Sequence, residues 1–221
     1  MTTSQRDILL DVCIQRAYLD EHQPQRCLNA PQVIANVKHV MAYARLAKLP
    51  VVSCVDVDCA NRIGADFVHV APGLEPARRK APFSLLPQYA VVECDNSLAL
   101  PLDALGRAQQ VIFTKVHRDP FTNPKLDRLL TEIPARSFVV FGVPLENTVR
   151  MLVLGLLRRR RRVTVLFDTC GYWSVKEAEM TLRQLGVKGC DLLTARQYIG
   201  ISLARIAPKL RVRIRPSHLV A

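Results

Sequence analysis

Apolar runs of strand length alternate with amphipathic helical segments along most of the chain. The apolar runs are rich in Val, Ile, Leu and Phe, and they predict strands at 8–14, 50–57, 89–94, 110–116, 137–143, 162–170 and 190–195. Helical spacing of apolar positions predicts helices at 31–49, 124–133, 145–159 and 174–186, with a partly helical tail after them. This alternation predicts an α/β fold of three layers, in which a mostly parallel, Rossmann-like sheet carries helices on both faces.

The bulk composition predicts one domain over residues 1–221. The chain is 49% hydrophobic, and chains usually divide only beyond roughly 250–300 residues. Within it, 58–88 holds four prolines among basic residues and predicts a long loop, and 209–221 forms a basic tail. No apolar run reaches the ~20 residues of a membrane span, and the N-terminus does not resemble a secretion signal. We expect a soluble, cytoplasmic protein that does not associate with a membrane.

The cysteines give no pattern of disulfides or of a metal site. There are seven, an odd number, and none forms a Cys-x-x-Cys pair. Several lie in apolar runs, which favours buried, reduced thiols over disulfides. A zinc site needs closely spaced ligand pairs, and the nearest approach to one is the single pair Cys54 and Cys59. We expect neither a metal nor a cofactor.

The chain carries a formal net charge of +12, and much of the excess lies in the run Arg158–Arg162 and in the tail. Nucleic acid is one interpretation of such a charge. A structural role is favoured, because the run follows a predicted helix, where cations suit the helix dipole. No aromatic side chains interleave with the arginines, as a stacking platform requires. An anionic substrate or an acidic partner is a third interpretation.

Polar side chains follow several of the predicted strands at their carboxyl ends, which is where ligands bind in folds of this type. Asp11 lies near the end of the first strand, Asp56 follows the second, and Lys115 ends the run at 110–116. The run at 137–143 ends in a Gly-Val-Pro turn, and Asp168 ends a later strand. These positions predict a site that combines carboxylates, an ammonium group and the backbone of a strand-to-helix turn.

Three segments resemble the isochorismatase-like hydrolases, a superfamily that includes nicotinamidases and other cysteine hydrolases. "ILLDVCIQ" is similar to the first strand of that family with its catalytic aspartate, here Asp11. "VIFTKVHRDPFTNPKLDRLL" is similar to the segment of the catalytic lysine, here Lys115, with Phe121 at the position of a pocket aromatic. "FVVFGVPLENTV" is similar to the nucleophile turn. The resemblance implies a six-stranded parallel sheet, a small-molecule substrate, and dimers or tetramers.

The chain departs from the family pattern at the nucleophile. The family's cysteine falls on Thr148, and a threonine hydroxyl is a weak nucleophile without a terminal amine beside it. Cys13 is a conceivable replacement, because it lies two residues after Asp11 and a strand would place both on one face. A buried core cysteine is the favoured interpretation of Cys13. The metal-binding histidines of the nicotinamidases are not found next to Asp56.

The resemblance also implies an unusual cis peptide in the turn, which directs backbone amides at Asn147 and Thr148 toward an oxyanion hole. A Val143-Pro144 bond adopts the cis form at a cost of only about 0.5–1 kcal/mol, so we predict that it is cis. Two functions remain open. One is an enzyme with Asp/Lys chemistry and no cysteine, including cleavage of a vinyl ether with the aspartate as general acid. The other is a catalytically silent protein that binds a ligand or acts as a scaffold.

Overall fold

A parallel sheet of seven strands forms the centre of the protein, in a computed structural model that describes residues 6–57, 79–92 and 104–211. The strands are β1 (Asp7–Val12), β2 (Val51–Asp56), β3 (Tyr89–Val92), β4 (Gln110–Lys115), β5 (Ser137–Gly142), β6 (Val163–Cys170) and β7 (Asp191–Leu193). Their spatial order is β3-β4-β2-β1-β5-β6-β7, and every neighbouring pair is parallel. The predicted α/β fold is confirmed. The sheet has seven strands where six were expected, because the short strands β3 and β7 extend its two sides.

Helices surround the sheet in two groups, one containing α2 and α7 and the other containing α5 and α6. The helices are α1 (Arg16–Leu19), α2 (Ala30–Ala47), α3 (Ala104–Arg107), α4 (Pro124–Glu132), α5 (Arg150–Arg158), α6 (Val175–Val187) and α7 (Ala195–Arg211). Their starts follow local chemistry. Asn123 accepts hydrogen bonds from two amides at the start of α4, and Ser174 accepts one at the start of α6.

The two long irregular segments are described in part. Residues 58–78 of the predicted loop and 212–221 of the predicted tail lie outside the described residues. The chain that follows the first of these pairs with the residues after β1: the Ala81 amide donates to the Ile14 carbonyl at 2.9 Å, and the Arg16 amide donates to the Arg79 carbonyl at 3.0 Å. This pairing places Lys80 in the protein interior.

Gly142 brings the end of β5 against the end of β1. Its φ of 139° is a conformation that L side chains rarely adopt, and a Cβ atom there would lie 2.0 Å from the carbonyl oxygen of Val12. The next amide, that of Val143, donates to the same Val12 carbonyl at 2.9 Å. The Gly-Val-Pro turn therefore begins directly beside the end of the strand that carries Asp11.

The cysteines that the structure describes are free and buried, which confirms the interpretation of reduced thiols for these five: Cys13, Cys27, Cys54, Cys170 and Cys190. Cys59 and Cys94 lie outside the described residues. Among the helices of the described ranges, none has the length and hydropathy that a membrane span requires.

Asp7 at the start of β1 is expected to make stability depend on acid pH. Burial raises the pKa of Asp7. Hydrogen bonds and charge from Arg136, together with the Ser137 and Tyr198 hydroxyls, lower it by more than burial raises it, so the net pKa lies below the usual 3.8. A lowered carboxyl pKa contributes stability that is complete above the ordinary pKa and is lost as the pH falls through the folded-state pKa. Asp7→Asn should therefore reduce the free energy of unfolding by about 1–2 kcal/mol at pH 7, since Arg136 is partly exposed.

Urea unfolding at several pH values measures this effect. The difference between the wild type and Asp7→Asn should shrink as the pH falls from 5 toward 2. A difference that stays constant over that range would show that the Asp7 charge does not stabilise the fold.

Candidate active site

Asp11 is the centre of a fully buried polar network at the carboxyl edge of the sheet, the side on which the strands end. Its carboxylate is ion-paired with Lys80 at 2.5 Å, and both side chains are 0% exposed. The other carboxylate oxygen accepts the Ser53 hydroxyl at 2.7 Å, and Gln110 donates to that hydroxyl at 2.8 Å. Both carboxylate oxygens are therefore acceptors, and the network leads from β1 through β2 to β4.

Asp56 organises a second network beside the first. One of its oxygens is ion-paired with the Lys115 ammonium, which also donates to the His117 carbonyl at 3.1 Å. The other oxygen accepts the Tyr18 hydroxyl at 2.8 Å and the Cys13 thiol at 3.2 Å. The Asp56 side chain is 22% exposed, whereas that of Lys115 is 1% exposed. Solvent therefore reaches this network at the carboxylate.

Cys54 lies near both ion pairs, so all four of their charges act on its thiol. Burial raises the pKa of the Cys54 thiol to about 12, and the charges of Lys115, Asp56, Asp11 and Lys80 act on it as smaller effects of both signs. Two ammonium groups and two carboxylates therefore lie near Cys54, the Asp11–Lys80 pair on one face of the sheet and the Asp56–Lys115 pair on the other. The Cys54 thiol between them stays protonated at neutral pH and is not a nucleophile.

Asp11 and Lys115 do not form an ion pair with each other. Asp11 is in register with Ser53, and Lys115 is in register with Asp56. Because Ser53 and Asp56 are three positions apart on one strand, they point to opposite faces of the sheet, and so do their partners. Each charge consequently has its own counter-ion, Lys80 for Asp11 and Asp56 for Lys115.

Lys115 keeps its positive charge over a wide pH range. Burial alone lowers the pKa of Lys115, but the charge and the hydrogen bond of the neighbouring Asp56 carboxylate raise it, and the net pKa lies above its usual range. An ammonium that is buried and held in one place can stabilise negative charge that develops on a substrate. A catalytic role for Lys115 stays a prediction.

Cys13 has an unusual backbone and an inert thiol. Its φ is 50°, in the left-handed region that few residues other than glycine adopt, and this conformation directs the thiol to Asp56. Burial and the charge of Asp56 raise the pKa of Cys13 well above its usual range. The thiol therefore donates a hydrogen bond as a neutral group, which favours the structural interpretation over a displaced nucleophile.

The turn after β5 has the cis Val143-Pro144 peptide that the sequence predicts. One π-helical turn, Leu145–Val149, leads directly into α5. The Asn147 amide donates to the Pro144 carbonyl at 3.4 Å, a long hydrogen bond within the turn. Thr148 is buried, and its hydroxyl makes no hydrogen bond to any other described residue.

Phe121 and Asp168, which the sequence also identified, contact neighbouring helices. The ring of Phe121 packs on α5, where a Cβ atom on Gly155 would lie 2.1 Å from it, and the Arg159 guanidinium lies 3.8 Å from its centroid. A pocket role for Phe121 stays a prediction. Asp168 accepts the Ala195 amide at 2.7 Å at the start of α7, and burial raises the pKa of Asp168.

Sequence reasoning missed Lys80, Ser53 and Tyr18. Lys80 is one basic residue among several in a proline-containing segment, so nothing in its local pattern distinguishes it. Ser53 is a single polar residue within an apolar strand, which was a usable signal. The described residues contain no group of three or more His, Cys, Asp or Glu side chains that could hold a metal ion.

The chain belongs to the isochorismatase family, because the pattern that defines the Isochorismatase domain matches residues 7–197. Comparison with curated protein sequences gives no match. Many solved structures share the fold. An isochorismatase-like hydrolase from Alkaliphilus metalliredigens has a TM-score of 0.66 at 18% identity, over 89% of this chain and 98% of the other.

Two further structures show the same likeness at the level of the fold. The MAR1 ribonuclease from Caenorhabditis elegans has a TM-score of 0.61 at 16% identity, over 98% of this chain and 95% of the other. The N-carbamoylsarcosine amidase from Thermoplasma acidophilum has a TM-score of 0.62 at 16% identity, over 86% and 96%.

Proposed function

We propose that this protein is a hydrolase that cleaves a small molecule at the carboxyl edge of its sheet with Asp/Lys chemistry. The observation that carries the proposal is the pair of buried lysine–carboxylate contacts around Cys54. Buried ion pairs add little to stability on balance, because removing both charges from water costs about as much as their attraction returns. Two of them together at the ligand-binding edge of an α/β sheet are characteristic of a functional site.

Each side chain has a role that its contacts support. The Lys115 ammonium stabilises the negative charge that forms on the substrate oxygen. Asp56, whose carboxylate is reached by solvent and contacts Lys115, accepts a proton from an attacking water. Asp11 is fully buried on the opposite face of the sheet, so we assign it a structural role instead of the predicted catalytic one, and the general-acid role for a vinyl ether is less favoured. The Thr148 hydroxyl, which has no hydrogen-bond partner among the described residues, positions the substrate by a hydrogen bond and does not attack it. The net charge of +12 favours an anionic substrate.

A second candidate is a silent member of the family that binds a ligand or acts as a scaffold. The observation that favours it is the complete burial of Asp11, with both of its oxygens occupied by Lys80 and Ser53. A base in that state must first exchange a partner for a substrate or a water. In either case we propose a cytoplasmic homodimer or homotetramer. The five free thiols support a reducing compartment.

A substrate panel separates the two candidates. Purified protein is assayed against small anionic amides and vinyl ethers, together with Asp56→Asn and, as a matched control, Asp7→Asn, which removes another ion-paired carboxylate at the amino edge of the sheet. We expect turnover of at least one amide, a loss of at least about 100-fold in Asp56→Asn, and retention in Asp7→Asn. Turnover that survives in Asp56→Asn would exclude the role of Asp56. Binding without turnover of any panel member would support the silent candidate.

A further inference from the structure

Basic residues lie at the starts of five neighbouring strands, on the amino edge of the sheet opposite the candidate active site. In spatial order they are Arg107 before β4, Lys48 before β2, Arg6 before β1, Arg136 before β5 and Arg162 before β6. This alignment is not visible along the chain, where the five positions are far apart. It exists because parallel strands start at a common edge, so residues that lie one to three positions before their strands join one row.

Residues of the row line two cavities. One has a volume of about 670 Å³ and is lined by Arg6, Lys48 and Arg107, with no acidic side chain among its lining residues. The other has a volume of about 320 Å³ and brings Arg162 and Arg205 to the same edge. Arg6, Lys48, Arg162 and Arg205 are exposed and form no ion pair with any other described residue.

The run Arg158–Arg162 divides into two sets. Arg159 is ion-paired with Asp127 at 2.8 Å, and Arg161 donates to the Thr131 and Ile133 carbonyls at the end of α4. These two have the structural role that the sequence favours. The other three, Arg158, Arg160 and Arg162, are exposed and make no ion pair within the described residues. Arg158 lies in the last turn of α5, where a cation suits the helix dipole, so a capping role leaves Arg160 and Arg162 unexplained.

Among the described residues, negative charge at this edge does not offset the row. Asp7 is buried against Arg136, and Glu132 is paired with Arg128. Asp191 is the exposed carboxylate among the residues that line the second cavity. The edge therefore has a positive potential that extends over several strands, instead of one cation that serves a single small anion.

We infer that the amino edge binds the phosphate backbone of a nucleic-acid duplex. The five strands of the row, at about 4.8 Å spacing, span roughly 19 Å, which is about half of the ~34–36 Å of one duplex turn. Tyr89 is the one exposed aromatic side chain at this edge among the described residues, so stacking on bases contributes little. Contact is with phosphates and is independent of sequence. The inference does not depend on the proposed hydrolase activity, which lies at the other edge.

Fluorescence anisotropy with labelled RNA and DNA duplexes of about two turns tests the inference. The test variant is Arg6→Gln/Lys48→Gln/Arg162→Gln. The matched control is Arg118→Gln/Lys176→Gln/Arg196→Gln, which removes the same charge from exposed positions at the carboxyl edge. Wild-type binding should weaken steeply between about 50 and 200 mM salt. The test variant should bind at least about 10-fold more weakly and lower the slope of log K against log salt by about 2–3.

The control variant should stay within about 2-fold of the wild type in binding, and melting curves confirm that both variants fold. Equal losses in the two variants would attribute the binding to net charge and overturn the inference. The absence of duplex binding at low salt would also overturn the inference. Capture of phosphatidylserine vesicles but not of either duplex would assign the edge to a membrane and overturn it as well.

Discussion

Replacing Lys80 by Met should lower the free energy of unfolding by about 3–5 kcal/mol, the largest stability effect we expect from a single substitution in this protein. Lys80 and Asp11 are both 0% exposed and are separated by 2.5 Å. Without the ammonium, the Asp11 carboxylate remains in the interior, and among the described residues the Ser53 hydroxyl is its one remaining donor. The penalty arises from this unpaired charge, since Met fills nearly the same volume as Lys. Urea unfolding at pH 7 measures it.

A double-mutant cycle separates the charge from the packing. Asp11→Asn/Lys80→Met removes both charges, and its free energy of unfolding should recover at least half of what Lys80→Met loses. Arg128→Ala provides the surface comparison. Its ion pair with Glu132 is exposed, at 39% and 46%, and its loss should change stability by less than about 1 kcal/mol. A double variant as unstable as the sum of both single variants would show that Lys80 stabilises the fold by packing instead of by charge.

The sequence predicted the strands and helices because buried parallel strands are continuous apolar runs. It also predicted which strand ends carry polar groups, so Asp11, Asp56 and Lys115 were identified before their positions were known. It could not predict which charge pairs with which. That outcome depends on the three-residue offset between Ser53 and Asp56, and on the pairing of the chain at Lys80 with the residues after β1. Both are properties of register and long-range contact, which local periodicity does not encode.

The contacts of the arginine run are a second feature that the sequence could not predict in full. Its composition indicates cations at the end of a helix, and for Arg159 and Arg161 this interpretation agrees with their contacts. Which arginines of the run contact the protein and which face solvent depends on the turn after α5, where Arg160 adopts a left-handed φ of 55°. The row of cations at the amino edge depends on strand order, which places Arg107 and Arg162 at the starts of strands four positions apart in the sheet.

Lys115→Met should lower kcat/KM for the best substrate of the panel by about 10²–10⁴-fold while the fold persists. The reason is the loss of the one buried ammonium whose counter-ion, Asp56, is reached by solvent and therefore by a substrate. The stability loss should be smaller than for Lys80→Met, because the partly exposed Asp56 carboxylate keeps the Tyr18 hydroxyl as a donor and is hydrated on its open side. Steady-state kinetics and urea unfolding of the same preparation measure the two effects separately.

Cys13→Ala is the control that distinguishes this mechanism from a cysteine nucleophile. The Cys13 thiol contacts the same Asp56 carboxylate, so its removal perturbs the site to a comparable extent without changing a charge. With Asp/Lys chemistry, kcat/KM should stay within about 3-fold in Cys13→Ala. A loss as large as that of Lys115→Met would instead make Cys13 the nucleophile. Because the pKa of Lys115 is raised, the wild-type rate should show no alkaline decline from this group below about pH 9, and such a decline with its midpoint near neutral pH would exclude the ammonium as the stabilising charge.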